Sequence, residues 1–122
     1  MMDTPCSNSE IVAGYFANFI EGGDGPNFWA FEEMSELVSA DPERAWGLAI
    51  EMLRGSSDPL YTAYVAAGPL EDLLSRHGRE LIGRIEVLAK SEPWFRECLV
   101  GVWGTLQPDI RERVNNAIKS DV

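Results

Sequence analysis

A chain of 122 residues with 45% hydrophobic and 25% charged side chains has the length and balance of a single domain with a buried core. Its formal charge of −10 disfavours direct binding to nucleic acid, because phosphates would be repelled. No run of about 18 apolar residues is present to span a membrane. The opening MMDTPCSNSE has neither the basic nor the apolar part of a secretory signal, so a cytoplasmic protein is expected.

In chain order the elements read as helices. Residues 1–7 form a flexible leader that contains Cys6. Ser7 and Glu10 have the spacing of a capping box ahead of an apolar run with Ile11, Tyr15, Phe16 and Phe19, which places a helix at 8–21. Gly22 and Gly23 end it. The stretch EGGDGPN is Gly-rich but has no Lys-Ser/Thr successor for a phosphate loop. It also has too few carboxylates for a calcium loop, so residues 22–27 read as a hinge. Asn27 is placed as the N-cap of a helix at 28–39. Asp41-Pro42 and Asp58-Pro59 each pair a capping carboxylate with a proline at the first helical position, where a missing N–H costs nothing. Further helices are expected at 42–54, 59–67, 69–77, 79–90, 92–103 and 108–119, about eight in all. Gly55, Gly68, Gly78 and Gly104 stand as C-caps.

The fold class is therefore all-α. Prolines at 42, 59, 93 and 108 favour stacked, repeat-like helical hairpins, and an irregular bundle fits the same signals. In 42–54 the apolar positions Ala45, Trp46, Leu48, Ala49, Ile50, Met52 and Leu53 cover more than half the circumference, as for a helix with neighbours on two sides. Residues 80–90 carry the narrower stripe Leu81, Ile85 and Leu88. Glu80–Arg84 and Glu86–Lys90 read as i,i+4 pairs on its wet side, so this helix is expected to be more exposed.

Candidate chemistry is sparse. His77, the one histidine, closes a helix that begins with Glu71 and Asp72, where the positive end of the dipole favours carboxylates. Gly78 is expected to cap it in the left-handed conformation. That helix offers His77 no acid–base partner, so a structural histidine is expected. Cys98 sits in an apolar pattern and Cys6 far away with no CxxC, which fits reduced thiols rather than a disulfide or zinc site. No catalytic residue, cofactor or metal is assigned, and the chain is not expected to be an enzyme. In GVWG, Trp103 is expected to pack against the final helix, with a partner-contact tryptophan as the alternative.

Charge is the sharpest global signal. Residues 1–61 hold 11 acids and 2 bases, whereas residues 62–122 hold 9 and 8. In NFWAFEEMSEL a helical wheel places Phe31, Met34, Leu37 and Val38 on one face and Glu32, Glu33 and Glu36 on the other. Trp29 falls among the acids, the pattern of an aromatic anchor with a charged rim. Packing of Trp29 on the first helix or on the glycine loop is the alternative.

AAGPLEDLLSRHG followed by ELIGRIE, then EPWFRECLVGVWG and PDIRERV, with ERAWGLAIEML upstream, resembles a family of small bacterial helical domains of unknown function. The resemblance spans residues 28–118. It implies an all-helical fold and a bacterial cytoplasmic setting, and it carries over no functional residue.

Two functions of different class fit. The first is a small acidic protein that binds a basic partner, most concretely an immunity-type protein neutralising a bacterial toxin. Trp29 would anchor while Glu32, Glu33, Glu36, Asp41 and Glu43 meet Lys and Arg of the partner. The second is a helical scaffold or regulatory module that holds a peptide or a second subunit on a concave face that includes residues 79–90. An enzyme would need His77 to meet carboxylates from another helix.

Overall fold

The computed structural model describes residues 7–119, and they form helices α1 (Asn8–Ile20), α2 (Phe28–Ala40), α3 (Pro42–Arg54), α4 (Pro59–Val65), α5 (Glu71–Ser91), α6 (Pro93–Leu99) and α7 (Pro108–Lys119). The fold is all-α. Residues 1–6 of the expected leader, with Cys6, lie outside the described residues, and Ser7 is the N-cap of α1.

The caps form where residue chemistry places them. Ser7 and Glu10 exchange both hydrogen bonds of the capping box. Asp41 accepts from the Arg44 N–H and Asp58 from the Leu60 N–H, each directly ahead of a proline. Asn27 makes no such cap. Its side-chain amide instead donates to Glu21 at 2.7 Å and so ties the glycine loop across its base. In that loop Gly22 and Gly23 have φ of +89° and +94°, which side chains with a Cβ rarely adopt.

Three expected helices run together. Gly68 and Gly78 do not cap: among the described residues only Gly22 and Gly23 have positive φ. From Pro59 to Ser91 the chain continues through α4, a single π turn at Ala66–Leu70, and α5, which bends at His77 (φ −130°, ψ 29°). Counted with this rod as one, the described residues form six helices rather than about eight. Pro69 has no N–H for the regular ladder, and one extra residue per turn absorbs the gap. Gly78 has a packing role: a Cβ there would lie 3.2 Å from Ile110, so its absence lets α7 press onto α5. The expected helix at 92–103 stops at Leu99, after which the N–H groups of Val100, Gly101 and Val102 tighten to carbonyls three residues back.

One core cluster runs from Ile11 to Ala117. α3 lies inside it, touching α1, α2, α4 and α5, and its buried Ala45, Leu48, Ala49, Ile50, Met52 and Leu53 account for the broad stripe. Contacts between α2 and α5 skip a hairpin, so an irregular bundle describes the packing better than a row of stacked hairpins.

The charges on α5 reach across helices rather than along one. Arg84 pairs with Glu43 on α3, while Arg79 and Glu86 pair with Asp109 and Arg113 on α7. These contacts replace the expected Glu80–Arg84 and Glu86–Lys90 pairs. The stripe on this stretch is also wider than expected, with Leu81, Ile82, Ile85 and Ala89 buried.

Candidate functional site

The expected partner-binding residues divide between two environments. Trp29, Glu32, Glu33 and Glu36 share one flank of α2. The three glutamates make no hydrogen bond or ion pair among the described residues, and Glu32 and Glu36 are exposed. Asp41 and Glu43 are engaged elsewhere: Asp41 caps α3, and the Arg84 guanidinium holds the Glu43 carboxyl below the usual range.

Trp29 packs partly as the alternative reading expected. A Cβ on Gly14 of α1 would stand 2.8 Å from its indole, so the glycine makes room for the ring. The indole is still 37% exposed. Beside it Phe28 is 39% exposed and Phe31 37% exposed. Phe31 therefore does not complete the buried face of α2; Ala30 does, with Met34, Leu37 and Val38. Phe31 stacks on Phe28 and on Tyr15, and rings continue through Tyr64, Phe19, Tyr61 and Phe16 with centroids 4.9–6.4 Å apart. Burial raises the Tyr15 hydroxyl far above its ordinary value, so this ring stays neutral.

A second aromatic feature lies elsewhere. Trp103 does not pack against α7: it is 80% exposed on the loop after α6. That loop is held from below. The Trp103 N–H donates to Glu71 Oε1 at 2.8 Å, and Arg111 donates to the carbonyls of Val102 and Gly104. Any Cβ on Gly104 would fall on the Glu71 carboxylate, which makes this glycine a space-maker rather than a cap. Trp103 borders a groove of about 650 Å³ that also takes in Arg54, Trp94, Glu97, Cys98 and Val100. Arg54 lies over the Trp94 ring at 5.6 Å. Burial pushes the Cys98 thiol up to about 11, with Glu97 adding to the effect, so at neutral pH it is a protonated, weakly nucleophilic wall group. The motif had already singled out Trp103. Its exposure was hidden because it depends on how Glu71, 32 residues away, and Arg111 of the next helix hold the loop.

A third feature is a groove of about 730 Å³ between α3 and α5, bordered by Trp46, Gly47, Ile50, Gly83, Val87 and Leu88. Both glycines face open space, so their missing side chains widen it.

His77 has a structural partner. Pro42 has no N–H, so the Val38 carbonyl four residues earlier has no helical donor. His77 Nε2 supplies one at 2.8 Å. Its other nitrogen lies 3.4 Å from Glu80. The same device recurs at Pro93, where Arg96 donates to the stranded Ala89 carbonyl at 2.6 Å. The Glu71 and Asp72 carboxylates do not face a free helix start, because the π turn precedes them. Glu71 holds the Trp103 loop, and burial raises the Asp72 carboxyl despite nearby Arg76. Among the described residues no three His, Cys, Asp or Glu side chains cluster as metal ligands.

No curated protein and no solved structure matches the chain. A family model does, over residues 20–122, a span that takes in the glycine loop as well as the motifs from residue 28 onward. The chain belongs to the family of unknown function DUF6869.

Proposed function

We propose that this chain is an acidic protein-binding protein that occludes a basic partner, in the manner of an immunity protein neutralising a toxin. The observation that carries this reading is the start of α2. Three aromatic rings more than a third exposed adjoin three glutamates that pair with no cation among the described residues, while Arg79, Arg84 and Arg113 are engaged in pairs elsewhere. Trp29 serves as the anchor and Glu32, Glu33 and Glu36 as the charged rim. Asp41 and Glu43 contribute less, because each already has a structural partner.

The test is affinity capture at low salt from a lysate of the organism of origin, with wild type compared against Glu32→Lys, Glu33→Lys, Glu36→Lys and bound proteins identified by mass spectrometry. A basic protein held by wild type alone, and released as salt rises, is the expected result. Equal capture by both proteins overturns the reading.

The groove between α3 and α5 supports a second reading, a helical module that holds a peptide there. In that case Val87→Lys abolishes capture while the triple reversal on α2 does not.

A further inference from the structure

We infer that Trp103 and the groove beside it form a docking site for an arginine side chain of a basic partner protein. The inference rests on the preceding reading only for the sign of the ligand's charge; it assigns a different site on different elements.

The groove has two indoles in different states. Trp94 is already served, because Arg54 covers its ring and its Nε1 donates to Glu92. Among the described residues Trp103 has no ring partner, and it is 80% exposed, yet its backbone is fixed through Glu71 and Arg111. With the backbone held this way only the two side-chain torsions of the indole are left to order on binding, a small cost for an aromatic anchor.

Charge selects the occupant. Glu97 lines the same groove, and the Glu71 carboxylate lies beneath the Trp103–Gly104 backbone. Among the described residues that line it the one cation, Arg54, sits on Trp94, and the chain as a whole carries −10. An open indole face with carboxylates nearby attracts a cation, and a guanidinium stacks on it better than an ammonium because it is planar and weakly hydrated. Val100, 56% exposed, and Gly101 offer apolar surface for the aliphatic stem of the arginine. The arrangement at Arg54 and Trp94 is an intramolecular copy of the contact that the partner would make at Trp103.

The test is NMR titration of the ¹⁵N-labelled protein at low salt with a hexa-arginine amide and with its neutral isostere, hexa-citrulline amide. The four indole N–H signals separate the sites, Trp29 reporting α2 and Trp103 the groove. Shifts at Trp103, Glu97 and Gly101 with hexa-arginine but not with hexa-citrulline are expected. Trp103→Ala should weaken the binding measured at the Glu97 and Gly101 amides by about fivefold. Glu97→Gln should weaken it as well, with both variants melting as wild type does. Shifts confined to Trp29 and α2 overturn this inference and leave the proposed function standing. Equal shifts with both peptides overturn it in favour of an apolar groove, and no shift from either peptide overturns it outright.

Discussion

At the scale of single residues, side chains from a following helix complete bonds that prolines leave open. His77 is the clearest case. His77→Ala strands the Val38 carbonyl and should cost about 1–3 kcal/mol in denaturant unfolding, a loss that marks a structural histidine. Trp103→Ala, by contrast, should leave the melting temperature unchanged, since so little of the indole is covered. Both residues drew notice in the sequence, and for both the partners lay beyond its reach. Proline chemistry shows that the Val38 and Ala89 carbonyls need donors, but not that His77 and Arg96 provide them. For Trp29 the sequence permitted both an anchor and a packed ring, and the structure shows a ring that rests on Gly14 yet keeps a third of its surface.

At the scale of elements, α5 is joined to α3 and α7 by ion pairs on its flanks and by close approach at Gly78. Gly78→Val pushes its side chain into Ile110 and should destabilise by about 1–3 kcal/mol, read as a lower denaturant midpoint with unchanged slope. The pairs make a separate prediction about acidity. Hydrogen bonds from Arg84, Arg113 and Arg79 hold the carboxyls of Glu43, Glu86 and Asp109 below their ordinary values. Carboxylates lowered in the folded state stabilise it above their unfolded pKa, and that contribution is lost as pH falls through the folded value. Asp72, raised by burial, acts in the opposite sense. Glu10, lowered by its bonds with Ser7, adds to the first sense, so with four groups against one, thermal melts between about pH 3 and 6 should show the midpoint falling on acidification. High salt should shrink the effect, because these pairs are exposed. Helix starts were legible at this scale because a cap is a local bond: Ser7, Asp41 and Asp58 each bind within their own first turn. The joining of three helices was not. Gly68 and Gly78 look like caps by residue type, and only packing against Tyr15 and Ile110 gives them their roles.

At the scale of the whole molecule, acids and bases are sorted by use. Arg79, Arg84 and Arg113 bind carboxylates on other helices and Arg96 binds a carbonyl on one, while among the described residues the glutamates of α2 have no such ties. If the sorting serves a partner, Glu32→Gln, Glu33→Gln, Glu36→Gln should melt as wild type does and lose low-salt capture of a basic protein. If it only tempers solubility, capture stays intact. The all-helical class was legible at this scale because apolar spacing and caps agree along the chain. Which acids stay unpaired was not, since pairing is a property of helices brought side by side.

The π turn at Ala66–Leu70 sets an angle as well as a shape. An α-helix advances roughly 100° per residue, so one extra residue rotates everything after it by that amount relative to everything before. α4 directs Tyr61 and Val65 inward on one phase, and α5 directs Leu73, Leu74, Leu81 and Ile85 inward on another. Deleting a single residue between Ala66 and Leu70 would bring the two halves into a common phase and turn one buried stripe toward water. Glu71, just past the turn, would swing with it. The loop bearing Trp103 is thus aimed by a count of residues more than thirty positions earlier in the chain.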